Sequence, residues 1–373
     1  MHEKSMSRRR FIGRTAGAIA GVSLTERISA RSSGKLVWKE ARYYKTLQNG
    51  RVQCLLCPWQ CIVDPGRRGH CDVRANRDGV YYSLVYGRIA SYHNDPIEKK
   101  PLFHFLPKHM ALSMATAGCN VDCKFCQNWE LAQRLPEDIP GYEFSPGEII
   151  ALAGRWGSHI LAYTYNEPTV FTEYILDIAA AGKKTGLKSV VISNGYINRK
   201  PLLDLCRVLD AYKVDLKAFT ESYYRDVVGG RLAPVLDTLV TLKSEGMWVE
   251  IVYLVVPTLN DQDEEVRKMA KWVGENLGPD VPVHFSRFYP KYKLKNLPPT
   301  PVNTLERVRQ VVLDAGLHYV YLGNVPGHPG ENTYCPSCGK TLIRRLGYQV
   351  FENHITNGQC GFCKSQVAGI WHE

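Results

Sequence analysis

Short apolar runs alternate with helical patterns through the middle of the chain. Seven runs have the length and the β-branched or aromatic content of strands, at residues 111–118, 159–165, 188–195, 212–218, 248–256, 282–288 and 319–324. The stretch 168–186 opens with Pro168 and closes with Gly186, the usual start and stop of a helix. Residues 263–278 and 303–317 also follow the 3.6-residue period. Repeated β-α units predict an α/β core with a parallel sheet, a partial or complete (β/α) TIM-like barrel.

The segments on either side of this core lack the alternation. Residues 35–107 are rich in Gly, Arg, Tyr and Cys, and residues 327–373 are rich in turns. Each is too short to bury a large core, so a bound metal would supply the missing stability. The predicted organisation is a leader at 1–34, an N-terminal four-cysteine module and linker at 35–107, a core at 108–326, and a C-terminal module at 327–373.

The charge of the chain is concentrated at its N-terminus. The formal net charge is +11, and residues 1–35 hold eight Lys/Arg and two Asp/Glu, which leaves about +5 for the remainder. This distribution does not favour a nucleic-acid surface. No run of eighteen apolar residues exists, so no ordinary transmembrane helix is expected.

The leader carries a targeting pattern. Arg8, Arg9 and Arg10 are followed by Phe11 and a weakly apolar Gly/Ala stretch. This resembles a twin-arginine export signal, a route that carries folded, cofactor-loaded proteins. It predicts cytoplasmic assembly followed by export or membrane association. A disordered basic tail is the alternative.

Eleven of the twelve cysteines fall into three clusters, and Cys206 stands alone as a small buried hydrophobe. The first cluster has the spacing C-x2-C-x3-C-x9-C and consists of Cys54, Cys57, Cys61 and Cys71. Four cysteines at this spacing predict a zinc site or an auxiliary iron–sulfur cluster, and two disulfides are the alternative outside the cytosol.

The last cluster consists of two C-x2-C pairs separated by 21 residues, Cys335 with Cys338 and Cys360 with Cys363. The pattern resembles a zinc ribbon or a rubredoxin-like fold. Four sulfur ligands in a tetrahedron suit zinc or iron. The prediction is a zinc site, with a second iron site and disulfide pairs as alternatives.

The middle cluster supplies only three cysteines, Cys119, Cys123 and Cys126, in a C-x3-C-x2-C loop directly after the first core strand. Three thiolates can hold three irons of a 4Fe–4S cube and leave the fourth iron open, as catalytic metal centres require. S-adenosylmethionine (SAM) is the natural occupant, and an electron from the cluster then yields a 5′-deoxyadenosyl radical. The aromatic Phe125 before the last cysteine completes the radical SAM signature.

Polar side chains at the ends of later strands are candidates for binding SAM. Asn166 and Glu167, in "TYNEP", are candidates for the methionyl ammonium, and Asn194 ends the third strand. Their shared place at the C-terminal ends of parallel strands is where barrel enzymes carry chemistry. Each has a structural role as the alternative.

Two further strand ends add cofactor candidates. Asp215 and Lys217 share one side of a strand and are candidates for the SAM carboxylate, directly or through a cation. His284 is a candidate for the ribose hydroxyls. In the linker, Lys99, Lys100 and His104 either reach the mouth of the site or belong to a plain connector.

Several motifs together resemble one family. They are "CLLCPWQC", "DPIEKKPLFHF", "CNVDCKFCQNWE", "YTYNEPTVF", "VDLKAF", "LVVPTLND" and "GNVPGHPGENTYCPSCG". In this order they resemble the AmmeMemoRadiSam system radical SAM enzymes, which are similar to pyruvate formate-lyase activating enzymes. The resemblance implies SAM, one 4Fe–4S cluster on the three-cysteine loop, and a flavodoxin- or ferredoxin-type reductant. It also implies Memo-like and AMMECR-type proteins as functional partners.

The sequence therefore predicts a radical SAM enzyme that abstracts hydrogen from a substrate it does not identify. A partner protein, as in glycyl-radical activation, is one candidate substrate. Two other functions stay open: an exported iron–sulfur electron-transfer protein, and a zinc-ribbon RNA-modifying protein.

Overall fold

The computed structural model describes residues 31–32 and 36–372 of the chain. The predicted leader, including Arg8, Arg9 and Arg10, lies outside the described residues apart from positions 31–32. None of the helices in the described part is long and apolar enough to cross a membrane. Because the leader lies outside the described residues, the export signal stays a prediction.

The N-terminal part is built from short antiparallel strands. They are β1 (Arg31–Ser32), β2 (Lys39–Glu40), β3 (Tyr44–Thr46), β4 (Val52–Cys54), β5 (Ile62–Val63), β6 (Arg74–Arg77), β7 (Val80–Ser83) and β8 (Arg88–Ile89). They form three small sheets, β3-β4-β5, β2-β7-β6 and β1-β11-β8, the last of which includes β11 (Tyr142–Glu143) from the core. Strands this short bury little apolar surface among themselves, so contacts with the core hold this part in place.

The core alternates strands and helices. Its elements are β9 (Ser91–Pro96), β10 (Met110–Ala115), α1 (Trp129–Ala132), β11 (Tyr142–Glu143), α2 (Pro146–Arg155), β12 (Ile160–Tyr163), α3 (Thr172–Lys183), β13 (Lys188–Ser193), α4 (Arg199–Cys206), β14 (Ala211–Asp215), α5 (Glu221–Tyr223), α6 (Ala233–Ser244), β15 (Trp248–Val255), α7 (Asp263–Asn276), β16 (Val283–Arg287), α8 (Val302–Asp314) and β17 (Val320–Gly323). The main sheet has the order β17-β16-β15-β14-β13-β12-β10-β9. β10 and β12 to β17 run parallel, and β9 pairs antiparallel with β10.

The seven strands predicted from apolar runs are all present and lie next to one another in chain order. Their buried runs, such as Ile160–Tyr163, reflect a sheet covered on both faces. The edge strand β9 was not predicted. Its sequence, "SYHNDP", is polar and partly exposed, so it gives no apolar run.

Local sequence signals set the helix starts. In α2 the side chain of Ser145 accepts a hydrogen bond from the backbone of Glu148, whose carboxylate accepts one from the backbone N–H of Ser145 in return, a capping box. The helix predicted from Pro168 opens as a 3-10 turn at Pro168–Phe171 and continues as α3. Pro168 is tolerated there because the first N–H groups of a helix lack partners inside it.

The sheet forms a partial barrel rather than a closed one. In the described residues its edges, β9 and β17, do not pair with each other. Lys100, shortly after β9, and Leu322, in β17, nevertheless line the same cavity. The linker after β9 crosses the N-terminal ends of the strands, where the backbone N–H groups of Phe103 and His104 donate to Glu250 at 2.9 and 2.8 Å.

The C-terminal module lies beside this linker. Its strands are β18 (Thr333–Tyr334), β19 (Thr341–Leu346), β20 (Gln349–Asn353), β21 (Ile355–Thr356) and β22 (Gln359–Cys360). The guanidinium of Arg345 lies 4.1 Å from the ring centroid of Phe103 and donates to the Phe103 carbonyl at 2.9 Å. The backbone of Ile370 also pairs with that of His104 and Leu106. The module thus packs on the linker that crosses the base of the barrel.

Candidate active site

The three-cysteine loop begins where β10 ends, and a glycine makes this turn possible. Gly118 has φ of +89°, and a Cβ atom there would lie 2.5 Å from Val73 Cγ1 and 2.9 Å from the carbonyl oxygen of Cys71. A larger residue would be both strained and too close to the N-terminal module. The backbone N–H groups of Asp122 and Lys124 donate to residues 228 and 227, which fixes the loop against the segment after α5.

The loop forms one wall of a cavity of about 360 Å³. Cys119, Cys123 and Cys126 all line it, together with residues at the C-terminal ends of β12, β13 and β14. The volume is in the range of small-molecule sites. Strand ends and a following loop thus bring the predicted cofactor residues to one place.

Cys123 is buried, whereas Cys119 and Cys126 are partly exposed towards the cavity. Burial raises the pKa of Cys119 well above its ordinary value and raises that of Cys123 to about 12, although nearby Lys217 opposes the shift at Cys123. A buried thiol of this kind becomes a thiolate when a metal binds it. No fourth cysteine lines this cavity among the described residues. Three sulfur ligands with no fourth fit a cluster that keeps one iron open.

Asn166 and Glu167 are both buried and both hold neighbouring backbone. The side-chain amide of Asn166 donates to the carbonyls of Ala117 and Gly118 and accepts from the N–H of Thr116. It therefore positions the start of the cysteine loop. Contact of Asn166 with the methionyl ammonium stays a prediction.

Glu167 ties together the ends of two adjacent strands. Its carboxylate accepts hydrogen bonds from Ser193 Oγ at 2.7 Å and from the N–H groups of Asn194 and Thr169 at 2.8 and 2.9 Å. Burial raises the pKa of Glu167, and these hydrogen bonds oppose the shift. Glu167 lines the cavity, and its carboxylate is held in one orientation. Its contact with the methionyl ammonium stays a prediction.

Asp215 lies between two lysines of its own strand face. Its carboxylate contacts the ammonium of Lys213 and lies 2.7 Å from that of Lys217. Burial raises the pKa of Asp215, but the two ammonium groups outweigh burial and hold the pKa at about 2. Burial lowers the pKa of Lys213, and Asp215 opposes this shift. Burial also acts to lower the pKa of Lys217, but Asp215 outweighs it and raises the pKa, so the ammonium of Lys217 stays charged beside the cavity. Lys213 was not predicted from the sequence.

Asn194 and Phe125 lie close to the cysteines. The amide nitrogen of Asn194 lies 3.9 Å from Cys119 Sγ and donates to the side-chain oxygen of Asn120 at 2.9 Å. The Phe125 ring is buried, with the ammonium of Lys217 5.9 Å from its centroid. Both side chains line the cavity, as their predicted roles require.

His284 lines the inner end of the cavity and is already paired. Its Nε2 lies 2.7 Å from the carboxylate of Glu250, and its ring stacks on Tyr321. Burial lowers the pKa of His284, with the carboxylate of Glu250 opposing the shift. In the structure, Nε2 of His284 is within hydrogen-bond distance of Glu250. Contact between His284 and the ribose hydroxyls stays a prediction.

The linker contributes a buried lysine to the cavity wall. The ammonium of Lys100 lies 2.7 Å from Asp95 and 3.2 Å from the hydroxyl of Tyr165, which itself donates to Asp95 at 2.6 Å. Burial lowers the pKa of Lys100 to about 8, and Asp95 limits the shift. Tyr165 has φ of +70°, an uncommon conformation for a residue with a side chain. Lys99 also lines the cavity, whereas the ring of His104 bonds to the Ala368 carbonyl and the Tyr321 hydroxyl.

The C-terminal cysteines form a compact group. Among the described residues, the ligand atoms of Cys335, Cys338, Cys360 and Cys363 lie within 4.8 Å of one another. The sulfurs of Cys335 and Cys363 are 3.6 Å apart, and those of Cys338 and Cys360 are 3.8 Å apart. A Zn–S distance of about 2.3 Å in a tetrahedron places sulfurs about 3.8 Å apart. The group can hold one metal ion.

The N-terminal cysteines surround a separate small cavity. Cys54, Cys57, Cys61 and Cys71 all line it. This module meets the three-cysteine loop directly, because the indole N–H of Trp59 donates to the Asn120 carbonyl at 2.7 Å. None of the twelve cysteines forms a disulfide in the structure.

Comparison with known proteins identifies relatives of the whole chain and of its core. The model of the Radical SAM superfamily matches residues 114–271. The uncharacterized protein MJ0808 of Methanocaldococcus jannaschii is 42% identical over 331 residues, which cover 88% of this chain and 98% of that protein. The pyruvate formate-lyase 1-activating enzyme of Escherichia coli K12 is 23% identical over 258 residues, 62% of this chain and 97% of the enzyme. Among solved structures, a radical SAM methyltransferase from Sphaerobacter thermophilus aligns with a TM-score of 0.47 and 16% identity, over 61% of this chain and 71% of its own.

Proposed function

Since this chain belongs to the radical SAM superfamily and to the same family as MJ0808, we propose that it binds one 4Fe–4S cluster through Cys119, Cys123 and Cys126 and uses SAM to abstract hydrogen from a substrate. Superfamily membership implies an enzyme, a 4Fe–4S cluster and SAM. The observation that carries the residue assignment is that the three thiols, supplied by one loop, line the cavity at the strand ends.

The bound cluster and SAM would supply one-electron chemistry, in which reductive cleavage of the sulfonium provides the radical that abstracts hydrogen. The protein would bind and orient the reactants. The positive group around Lys217 suits the SAM carboxylate, and the anchored carboxylate of Glu167 suits the methionyl ammonium. Buried walls would exclude water from the radical.

A protein substrate is the candidate we favour. The support is the likeness to the pyruvate formate-lyase 1-activating enzyme and to the benzylsuccinate synthase activating enzyme of Thauera aromatica, which is 25% identical over 111 residues. Lys99, Asn324 and Tyr348 also line the cavity, and about half of Tyr348 is exposed, at 47%. A segment of a partner chain could enter here.

The order of motifs supports placing the chain with the AmmeMemoRadiSam system enzymes within the superfamily. On that basis we propose Memo-like and AMMECR-type proteins as functional partners and a flavodoxin- or ferredoxin-type protein as the electron donor. The leader motif supports assembly in the cytoplasm followed by export or membrane association.

Anaerobic reconstitution tests the proposed chemistry. The purified protein is loaded with iron and sulfide, reduced with dithionite and mixed with SAM, and 5′-deoxyadenosine is measured by chromatography. We expect release of 5′-deoxyadenosine from the native chain and none from Cys123→Ala, with Cys206→Ala as the matched control that keeps activity. A fully loaded cluster that releases none would instead favour an electron-transfer protein.

A further inference from the structure

The N-terminal cysteines converge from one hairpin and one loop onto one small cavity. Cys54 ends β4, and its N–H donates to the carbonyl of Cys61 at 2.9 Å across the β4–β5 hairpin. Cys57 lies in the tip of this hairpin, and Cys71 comes from the loop before β6. His70 N–H points at Cys61 Sγ at 3.5 Å. The local fold thus gathers four sulfurs that the sequence spreads over eighteen positions.

The spacing of these sulfurs differs from that of the C-terminal group. In the described residues, the only cysteine group whose ligand atoms all lie within 4.8 Å of one another is the C-terminal one. The N-terminal sulfurs do not all lie within this limit, and they line a cavity of about 10 Å³. A single tetrahedral zinc ion draws its sulfurs to about 3.8 Å. A cubane places four irons between its cysteine ligands, so these ligands stand further apart.

Arg74 provides a second, independent indication of an anionic ligand. Its side chain is fully buried and lines the same cavity as the four cysteines. One guanidinium nitrogen, Nη2, pairs with Glu173, whereas Nε and Nη1 have no hydrogen-bond partner. A buried donor without a partner destabilises the folded state, and more so when the donor is charged. An anionic group with several acceptor atoms in the cavity would remove this cost.

We propose that the N-terminal module binds a second 4Fe–4S cluster through Cys54, Cys57, Cys61 and Cys71, and that Arg74 donates hydrogen bonds to its sulfur atoms. Four thiolates give the cluster a negative charge, which the free guanidinium nitrogens complement. With all four irons ligated by protein, this cluster has no open site for SAM. The proposal concerns a site outside the active-site cavity and does not depend on the reaction proposed there.

The second cluster lies next to the first one in the fold. The carbonyl of Cys71 lies 2.9 Å from where a Cβ would be on Gly118, and Trp59 donates to the carbonyl of Asn120. Gly118 and Asn120 flank Cys119, so each module contacts the ligand loop of the other. The second cluster would therefore lie close to the SAM site.

Metal analysis of the full chain tests the proposal. After anaerobic reconstitution, iron, sulfide and zinc are measured in the native protein and in a variant with Cys119, Cys123 and Cys126 all changed to Ala. We expect about eight irons in the native protein and about four in the variant. The electron paramagnetic resonance signal of the reduced variant should not change on addition of SAM.

The proposal would be overturned if the variant without Cys119, Cys123 and Cys126 retained zinc but no iron, or held its N-terminal cysteines as disulfides. A second variant, Arg74→Lys, separates ligation from the role of the guanidinium. Lysine keeps the positive charge beside Glu173 but lacks the several N–H donors of the guanidinium. The second cluster should therefore still form, and its reduction potential should be lower. An unchanged potential would contradict the assigned role of Arg74. Neither result depends on SAM cleavage, so failure here is distinct from failure of the proposed reaction.

Discussion

The carboxylate of Asp215 lies 2.7 Å from the ammonium of Lys217 and also contacts that of Lys213. The three side chains share one face of β14 and its extension because alternate residues of a strand point the same way. Asp215 raises the pKa of Lys217 against the effect of burial, so this ammonium stays positively charged beside the cysteine loop. This charge is what the SAM carboxylate would meet.

Replacing Lys217 should weaken SAM binding. We expect Lys217→Met to lower the affinity of the reconstituted protein for SAM by roughly ten- to a hundredfold, in keeping with about 1.5–3 kcal/mol for a hydrogen bond to a charged group. Lys217→Arg keeps the charge and should lose less. Calorimetric titration of SAM measures the effect, and equal affinities for the native protein and Lys217→Met would rule out this contact.

Gly118 should not tolerate a side chain. Gly118→Ala places a Cβ 2.5 Å from Val73 and requires a positive φ, which costs roughly 1–2 kcal/mol before any clash is counted. We expect a lower free energy of unfolding and incomplete cluster loading, measured by denaturation and iron analysis. Gly147→Ala is the matched control, because a Cβ there meets nothing within 4 Å and alanine favours the helix. Equal stability of the two variants would contradict the assigned packing.

Lys100 should titrate near pH 8. Burial lowers its pKa to about 8, so the ammonium is charged below this pH and increasingly neutral above it. Because the unfolded chain holds the proton up to about pH 10.5, this group makes the folded state gain stability as pH rises from 8 to 10.5. Carbon-13 resonances of labelled lysine side chains follow the titration directly. The native protein should show a lysine signal that titrates below about pH 9, and this signal should be missing from Lys100→Arg. If no such signal is lost in the variant, the assignment is wrong.

Trp59 should hold the N-terminal module on the cysteine loop. Trp59→Phe keeps an aromatic ring over His70 but removes the hydrogen bond to the Asn120 carbonyl, which should cost roughly 1–3 kcal/mol. Hydrogen exchange of residues 118–128 should become faster. Trp38→Phe serves as the comparison, since the Trp38 ring is exposed and packs on Tyr82. Unchanged exchange in the loop would show that the two parts are held together by other contacts.

The C-terminal group should hold one zinc ion. Cys338→Ser removes one of four tetrahedral ligands, so the zinc content should fall by one per chain and the module should become sensitive to protease. Cys206→Ser changes a cysteine outside the three clusters and should leave zinc unchanged. Elemental analysis distinguishes the two. Iron at this site in protein purified without added metal would favour the rubredoxin-like alternative.

Three features of the structure were not predicted. Lys213 precedes Asp215 by two positions, so the alternation K-x-D-x-K carried a signal for it that was not used. The strand β9 has no comparable signal, because it is a polar edge strand whose register is set by hydrogen bonds to β10 rather than by burial. Glu250 is an isolated acid in an apolar run, and only folding brings the linker and His284 to it.

The sequence by itself determined the alternation of strands and helices, the grouping of the cysteines and the three-cysteine loop after the first core strand. These features depend on spacing and periodicity, which neighbouring residues specify. The tertiary structure alone decided that Arg74 faces the N-terminal cysteines, that Trp59 docks on the ligand loop, and that the linker crosses the base of an unclosed barrel. Such contacts join residues far apart in the chain, and their partners are fixed by packing and hydrogen bonding between whole elements, which no local pattern encodes.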